Sequence, residues 1–163
     1  MPRSASDVET RIASDDHAAI RLWLRMLATN RLIETRTRRL LQERFATTLP
    51  RFDLMAQLER VPDGLKMGEL SKRMMVTGGN VTGITDMLEQ EGLVERVDDP
   101  DDRRAWRVKL TAAGRRAFAG MAREHERWIV EVFGALGRRE MSLMAGCLGR
   151  LKTHVRSLEG RGS

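Results

Sequence analysis

The sequence has a single cysteine, Cys147, and only three histidines, His17, His125 and His154, which lie far apart. One cysteine excludes an internal disulfide framework, and the histidine spacing does not supply the ligand pattern of a structural zinc site. The glycine-rich phosphate loops, nucleophile motifs and His/Glu metal patterns of common enzymes are also missing. These absences argue against an enzyme, and we expect the protein to need neither a metal ion nor a cofactor.

Long apolar runs are missing as well. No stretch of about 18 consecutive apolar residues occurs, so no segment is predicted to span a membrane. The N-terminal sequence MPRSASDVETRIASDDH has neither the apolar core of a signal peptide nor the acid-poor composition of a transit peptide. We therefore expect a cytoplasmic protein, with residues 1–14 forming a disordered N-terminal tail.

Positive charge is plentiful but unevenly spread. The 163 residues carry a formal net charge of +6. Residues 21–60 contain 9 basic and 4 acidic groups and residues 112–163 contain 10 and 5, whereas residues 61–111 contain 8 and 10. A basic balance favours a nucleic acid as partner. Since the middle of the chain is acidic, any contact it makes with nucleic acid must depend on a few placed cations.

Apolar residues at spacings of three and four predict helices over most of the chain. Residues 16–48 have the pattern of one long helix or two, which Pro50 breaks before helical spacing resumes. Two short helices are predicted next, over residues 68–74 and 77–91. The second has an inner face of Val81, Ile84 and Leu88, and Gly92 suits its left-handed end. Two further helices are predicted after residue 111.

Between these helices, residues 93–97 and 105–110 have the composition of two strands of a hairpin. In the second strand, Trp106, Val108 and Leu110 alternate and are expected to share one buried face. Thr111 follows the strand and is expected to cap the next helix with its hydroxyl group.

The order of helices and hairpin between about residues 52 and 110 is typical of a winged helix-turn-helix. We therefore predict a mainly α fold with a small β-hairpin wing. The winged helix-turn-helix lobe would occupy residues 51–111, and a helical dimerisation region would comprise residues 15–50 and 112–158.

The loop between the two strands concentrates acid, with aspartate at four of its five positions, Asp98, Asp99, Asp101 and Asp102. Two interpretations remain open. The aspartates form turns and one of them, Asp102 in particular, braces an adjacent arginine at the hairpin tip through a charge-assisted bond. Alternatively, the loop is solvated and its acids and bases merely balance.

The segment GLVERVDDPDDRRAWRVKLTAAG resembles the wing signature of the multiple antibiotic resistance regulator (MarR) family. The preceding TGGNVTGITDMLEQEGLVER is similar to the recognition helix of that family, and the resemblance covers about residues 20–158. It implies a homodimeric transcription factor that binds a pseudo-palindromic operator in double-stranded DNA and commonly releases it on binding a small effector. The family pattern D-x-R-x-x-x-V-x-L-T is met by Asp102, Arg104, Val108, Leu110 and Thr111.

The resemblance places the DNA contacts in three groups. The end of the first short helix and the start of the second would contact phosphates, the outward side of the second would read bases, and the wing would enter a minor groove. The alternative is an ordinary polar surface. At Gly83 the chain departs from the arginine that many relatives carry. The expected contacts are Ser71, Lys72, Arg73 and Thr77 for phosphates, Gly79, Asn80, Thr82 and Thr85 on the recognition helix, and Arg103 and Arg104 in the wing.

The resemblance also implies an effector pocket between the first two helices, the fifth helix and the lobe. The arginine-rich sequence IETRTRRLLQER favours an anionic effector, for instance an aromatic carboxylate or its acyl-coenzyme A thioester. The alternatives are a solvated helix face whose arginines pair with Glu34 and Glu43, and apolar residues that belong to the core. The candidate effector residues are Trp23, Arg36, Arg39, Arg44, Arg96, His125 and Trp128.

Two other functions stay open. A winged-helix module that binds protein instead of DNA is consistent with the acidic residues 61–111. Some MarR relatives sense oxidants through a thiol that usually lies near the N-terminal helix, and a thiol-based redox regulator would here act through Cys147. The position of Cys147 on the inward stripe of the last helix, however, predicts a buried thiol with a high pKa.

Overall fold

The protein is represented by a computed structural model, which describes residues 17–75 and 80–160, apart from the side chain of Arg103. None of the helices in these ranges is long and apolar enough to cross a membrane. The elements confirm the mainly helical fold with a small wing. In chain order they are α1 (Ala18–Phe45), α2 (Leu49–Glu59), β1 (Leu65–Lys66), α3 (Met67–Arg73), α4 (Val81–Gln90), β2 (Val94–Asp99), β3 (Asp102–Leu110), α5 (Ala112–Phe133) and α6 (Arg138–Glu159).

The chain divides into two compact units within α5, between Arg123 and Glu124. The first unit contains α1 to α4, the three strands and the beginning of α5. The second contains the remainder of α5 and α6.

In the first unit, α1 is a single helix of 28 residues that ends at Ala46, whose φ of 49° lies in the left-handed region. The next helix, α2, begins before Pro50. Thr48 caps it by accepting a hydrogen bond from the N–H of Arg51 at 3.4 Å. The two helical segments were predicted to separate at Pro50, but they separate at residues 46–48, and Pro50 lies in the first turn of α2. Proline is well tolerated there, because its missing N–H would have no helical partner.

The core of the first unit forms where α2, α3, α4 and β3 pack together. The helix inner face predicted for α4 is confirmed at Leu88, which is fully buried, whereas Val81 and Ile84 are partly buried. The rings of Phe52 and Phe118 lie 5.4 Å apart and connect α2 with the beginning of α5. The most deeply buried apolar side chains are Leu41, Leu54, Met55, Leu58, Leu70, Leu88, Val94, Val108 and Leu110.

The predicted hairpin is confirmed, and it belongs to a three-stranded antiparallel sheet of order β1-β3-β2. Both of its strands extend further into the acidic loop than expected, so that Asp99 of β2 pairs with Asp102 of β3. Strand β1 was not predicted, because a strand of two residues carries no periodic signal.

Burial along β3 decreases towards the wing tip. Val108 and Leu110 are buried as predicted, but Trp106 is 58% exposed, so its predicted burial was wrong. Trp106 pairs with Asp98 of β2, nearer the tip than the part of the strand that packs into the core. The wing therefore presents an indole ring to solvent.

The junction between the wing and α5 is tightly built. Gly92 has a φ of 70°, as expected for the left-handed end of α4. The hydroxyl of Thr111 donates to the carbonyl of Gly92 at 2.7 Å and accepts from the N–H of Gly114 at 2.9 Å. The predicted cap at Thr111 is confirmed, and it also ties the beginning of α5 to the end of α4.

In the second unit, no residue of α6 is buried. This contradicts the predicted burial of Cys147, which is exposed and whose sulfur lies 3.3 Å from Nη2 of Arg150. Apolar residues recur at spacings of three and four along one side of α6, which is the spacing of a helix that packs along a second helix. Its exposed members are Met141, Met144, Leu148, Leu151, Val155 and Leu158.

Candidate nucleic-acid interface

The helix-turn-helix is formed by α3 and α4. Ser71, Lys72 and Arg73 are exposed at the C-terminal end of α3, where phosphate contacts were predicted. Arg73 forms an ion pair with Glu69 one turn earlier. Lys72 has no ion pair among residues 17–75 and 80–160, so its charge is available to a ligand. Thr77 and Gly79, the other predicted contacts near this turn, lie outside the described residues.

Helix α4, the predicted recognition helix, begins at Val81, later than predicted, because Asn80 caps it. The side-chain oxygen of Asn80 accepts a hydrogen bond from the N–H of Gly83 at 3.3 Å. A paired contact with adenine uses the oxygen and the nitrogen of an asparagine together. The oxygen serves here as the cap, and a contact of Asn80 with adenine stays a prediction.

On α4 itself, Thr82 is exposed as predicted, but Thr85 is completely buried. The hydroxyl of Thr85 donates to the carbonyl of Val81 at 2.7 Å. The prediction that Thr85 contacts DNA was therefore wrong. It lies one turn after Val81 and one turn before Leu88, on the inner side of the helix. A Cβ atom at Gly83 would lie 3.4 Å from the side-chain nitrogen of Asn80, so the fold itself does not require glycine there.

Arg96 connects the recognition helix to the wing. It projects from β2, and its guanidinium binds both Asp86 and Glu89 of α4. Its backbone N–H also donates to Glu89 at 3.3 Å. The hydrogen bond to Asp86 and the two negative charges raise the pKa of Arg96 against the opposing effect of burial. The predicted role of Arg96 in effector binding is not reflected in these contacts, because both carboxylates already engage its charge.

A second charged cluster lies at the base of the wing, where Lys66 of β1 and Arg107 of β3 are directly opposite each other. Like charges in this position destabilise a sheet unless an anion lies between them. Asp99 supplies it: its buried carboxylate accepts from Nε of Arg107 at 2.7 Å and lies 3.4 Å from Nζ of Lys66. Its other oxygen accepts from the N–H of Asp101 at 2.9 Å, which closes the wing turn.

We expect Asp99 to make the free energy of unfolding depend on pH in the acid range. The hydrogen bond from Arg107, supported by Asp101 and Lys66, lowers the pKa of Asp99 from 3.8 to about 2 although burial opposes this change. The carboxylate therefore stabilises the fold above pH 3.8, and this contribution should disappear as the pH falls from 3.8 to about 2.

Chemical denaturation of the wild type and of Asp99→Asn across this pH range tests the expectation. The variant should be less stable near neutral pH and should lose less stability on acidification. The exposed Asp98→Asn serves as the matched control and should keep the pH profile of the wild type. Identical profiles for Asp99→Asn and Asp98→Asn would contradict the assigned role of Asp99.

At the wing tip, Arg104 is exposed. The carboxylate of Asp102 accepts a hydrogen bond from the backbone N–H of Arg104 at 3.0 Å. The brace that the structure describes therefore acts on the main chain of Arg104. The side chain of Arg103 lies outside the described part of the chain, so a bond between it and Asp102 stays a prediction. The acidic loop is nevertheless structural, because Asp99 and Asp102 both fix the backbone from which the tip arginines extend.

The candidate effector residues are distributed over both units. On α1, Trp23 is 56% exposed, Arg44 is exposed and Arg36 is partly buried, while Arg39 lies 3.9 Å from Glu43. In the second unit, the rings of His125 and Trp128 meet edge to face, with centroids 6.5 Å apart. Burial lowers the pKa of His125. The structure gives the position of each residue within its own unit. A common effector pocket formed by these residues stays a prediction.

The model of the MarR family matches residues 47–106, which extend from α2 to the wing. The HTH-type transcriptional regulator PrsX of Escherichia coli is 32% identical over 91 residues, which cover 56% of this chain and 55% of PrsX. The match thus spans about half the length of that relative.

Solved structures match over a larger share of the chain. The crystal structure of a MarR family transcriptional regulator from Silicibacter pomeroyi is 34% identical, covers 86% of this chain and 99% of its own, and has a TM-score of 0.74. Sco3205 of Streptomyces coelicolor, a MarR family regulator crystallised in complex with DNA, shares the fold at 22% identity, with a TM-score of 0.71 over 80% of this chain and 83% of its own. The chain belongs to the MarR family of transcriptional regulators.

Proposed function

We propose that this protein is a homodimeric regulator, acting as a repressor, that binds a pseudo-palindromic operator. The recognition helix α4 enters a major groove and the wing enters the adjacent minor groove. The observation that carries the proposal is the attachment of α4 to β2 through Arg96. This attachment joins the helix that carries the exposed Thr82 to the wing that carries the exposed Arg104. The DNA complex of Sco3205 provides a precedent for DNA binding by this fold.

The charges of the lobe support recognition by a few placed cations. Arg51, Arg73, Arg96 and Arg107 are each paired with a carboxylate within the lobe. Lys72 and Arg104 are exposed and lack an ion pair among the described side chains. These two positions, at the end of α3 and at the wing tip, correspond to phosphate and minor-groove contacts respectively.

Dimerisation is proposed from the unburied apolar side of α6. Six large apolar residues at spacings of three and four are exposed along this helix, and an uncovered stripe of that kind is typical of an interface. A two-fold dimer would place two copies of α4 about one DNA turn apart, which matches two half-sites of a palindrome.

Binding to DNA from upstream of the protein's own gene tests the proposal. Fluorescence anisotropy should detect tight binding to a segment of this DNA and much weaker binding to a scrambled duplex of equal length. The affinity should fall steeply as salt is added, because phosphate contacts release counterions. Equal, weak binding to both duplexes would instead favour the winged-helix protein-interaction module.

We further propose that a small anionic or aromatic effector releases the operator. The arginines of α1 support this, since Arg44 is exposed and Arg39 only loosely approaches Glu43. Aromatic carboxylates and their coenzyme A thioesters should be titrated into the protein–operator complex. Release by either class at concentrations that leave the fold intact supports the proposal, and retention of the operator with both classes contradicts it.

A further inference from the structure

A buried carboxylate in α2 lies next to the helix-turn-helix. Asp53 is 8% exposed, and both of its oxygens accept hydrogen bonds. One oxygen accepts from the backbone N–H of Met75 at 2.6 Å. The other accepts from Nε2 of Gln57, one turn later on α2, at 3.2 Å. Asp53 therefore connects α2 with the chain that leaves α3.

The contact with Met75 falls where α3 has ended. The last helical bond runs from the N–H of Met74 to the carbonyl of Leu70, at 3.1 Å. The next N–H, that of Met75, is bound by a residue 22 positions earlier in the sequence. The side chain of Met75 is 80% exposed, so this residue is held through its backbone and not through packing of its side chain.

The bond between Asp53 and Met75 favours the backbone conformation in which the N–H of Met75 points to the carboxylate. A buried carboxylate is costly unless hydrogen bonds compensate it, and a bond from an N–H to a charged oxygen is shorter and stronger than one between neutral groups. Any path of the chain that withdraws the N–H of Met75 would remove a hydrogen bond that compensates this charge. Only four residues of sequence separate Met75 from Asn80, which caps α4.

We propose that Asp53 is a positioning residue for the recognition helix. By fixing the exit of α3, its carboxylate determines where the connection to Asn80 starts and thereby the position of the N-terminal turn of α4 against DNA. Asp53 does not itself contact DNA. The inference rests on the proposed operator binding, and it assigns to a residue of α2 a share of the sequence specificity of the regulator.

The test compares the full-length protein with Asp53→Ala, Asp53→Asn and Gln57→Ala. Gln57 is the matched control, because it is also buried in α2 and donates to the same carboxylate, while the Met75 N–H donates to the other oxygen of that carboxylate. Three quantities are measured: the ratio of affinities for operator and scrambled DNA, the hydrogen-exchange rate of the Met75 amide, and thermal stability.

We expect Asp53→Ala to lower the ratio of operator affinity to scrambled-DNA affinity roughly tenfold, because the hydrogen bond that favours the operator-binding position of α4 is lost. A tenfold change is the size expected for one hydrogen bond to a charged group. Binding to scrambled DNA should be unchanged, since phosphate contacts persist. The Met75 amide should exchange fastest in this variant, at an intermediate rate in Asp53→Asn, whose neutral oxygen is a weaker acceptor, and at the wild-type rate in Gln57→Ala. Asp53→Asn retains an acceptor oxygen and should recover part of the ratio, while Gln57→Ala should keep it even though it loses stability.

A folded Asp53→Ala variant with the wild-type affinity ratio and slow exchange at Met75 would overturn the inference. An equal loss of ratio in Gln57→Ala would also overturn it, because general loosening of α2 would then suffice. If Asp53→Ala fails to fold, the same comparison with Asp53→Asn decides. If the wild type itself shows no operator preference, the proposed function fails, and the Met75 amide still tests whether Asp53 holds the turn.

Discussion

Replacing Gly114 with alanine should destabilise the fold severely. A Cβ atom at this position would lie 1.9 Å from the carbonyl oxygen of Leu93 and 2.8 Å from its carbonyl carbon. Both are backbone atoms of the segment between α4 and β2, so no side chain can rotate away. Thr111, whose hydroxyl accepts from the N–H of Gly114 at 2.9 Å, also donates to the carbonyl of Gly92 at 2.7 Å, and this second bond opposes an outward movement of α5. We expect a loss of roughly 3 kcal/mol or more in the free energy of unfolding.

The same helix supplies the control. A Cβ atom at Gly120 would meet no atom within 4 Å. Gly120→Ala should therefore stabilise the protein by about 0.5–1 kcal/mol, the usual advantage of alanine over glycine within a helix. Urea denaturation of both variants measures the difference. Equal stability of Gly114→Ala and Gly120→Ala would contradict the close approach of α5 to Leu93.

Gly114 and Thr111 also give a physical reason for part of the resemblance in sequence. In the segment LTAAG, the threonine caps α5 and bonds to the end of α4, and the glycine admits the backbone of Leu93. The residues of this motif therefore form the junction between the wing and α5. The presence of the motif predicts this junction more directly than it predicts a contact with DNA.

Several features of the fold were predictable because their signals are local. Apolar spacing predicted the burial of Leu88 in α4, and alternation predicted the burial of Val108 and Leu110 in β3. Capping rules predicted the role of Thr111, and glycine in a left-handed position predicted the end of α4 at Gly92. Each of these depends on residues within a turn or two of one another.

Other features depend on contacts between distant segments. The four aspartates of the wing loop are equivalent in sequence, yet Asp99 alone is buried, because the strand pairing is irregular between Asp98 and Asp99 and directs it towards Arg107. Asp53 and Met75 are 22 residues apart, and no pattern in the sequence connects them. The error at Thr85 was avoidable, because the predicted inner face of Val81 and Leu88 already placed it inside.

Replacing both wing arginines with alanine should cause the largest loss of operator affinity. Arg104 is exposed, and its backbone N–H is held by Asp102, so its side chain extends from a fixed main chain. A narrow minor groove has a strong negative potential that attracts an inserted arginine. Arg103 is its neighbour in β3. At about 1–3 kcal/mol per specific arginine contact, we expect the double variant Arg103→Ala/Arg104→Ala to bind the operator at least 30-fold more weakly.

A control of equal charge is provided by another adjacent pair, Arg138 and Arg139 at the beginning of α6, both of which are exposed. Their replacement by alanine removes the same two positive charges from a helix that the proposal does not place on DNA. If attraction of the whole molecule to DNA were sufficient, both double variants would lose affinity equally. If the wing contacts the minor groove, only the wing variant should do so.

The most direct measurement is the operator dissociation constant of the wing double variant, determined over a range of salt concentrations beside the wild type and the α6 control. We predict a folded wing variant with greatly weakened operator binding and a salt dependence shallower by up to about two counterions, and a control close to the wild type. Unchanged operator affinity in a folded, dimeric wing variant would contradict the assignment of the wing as a DNA-reading element.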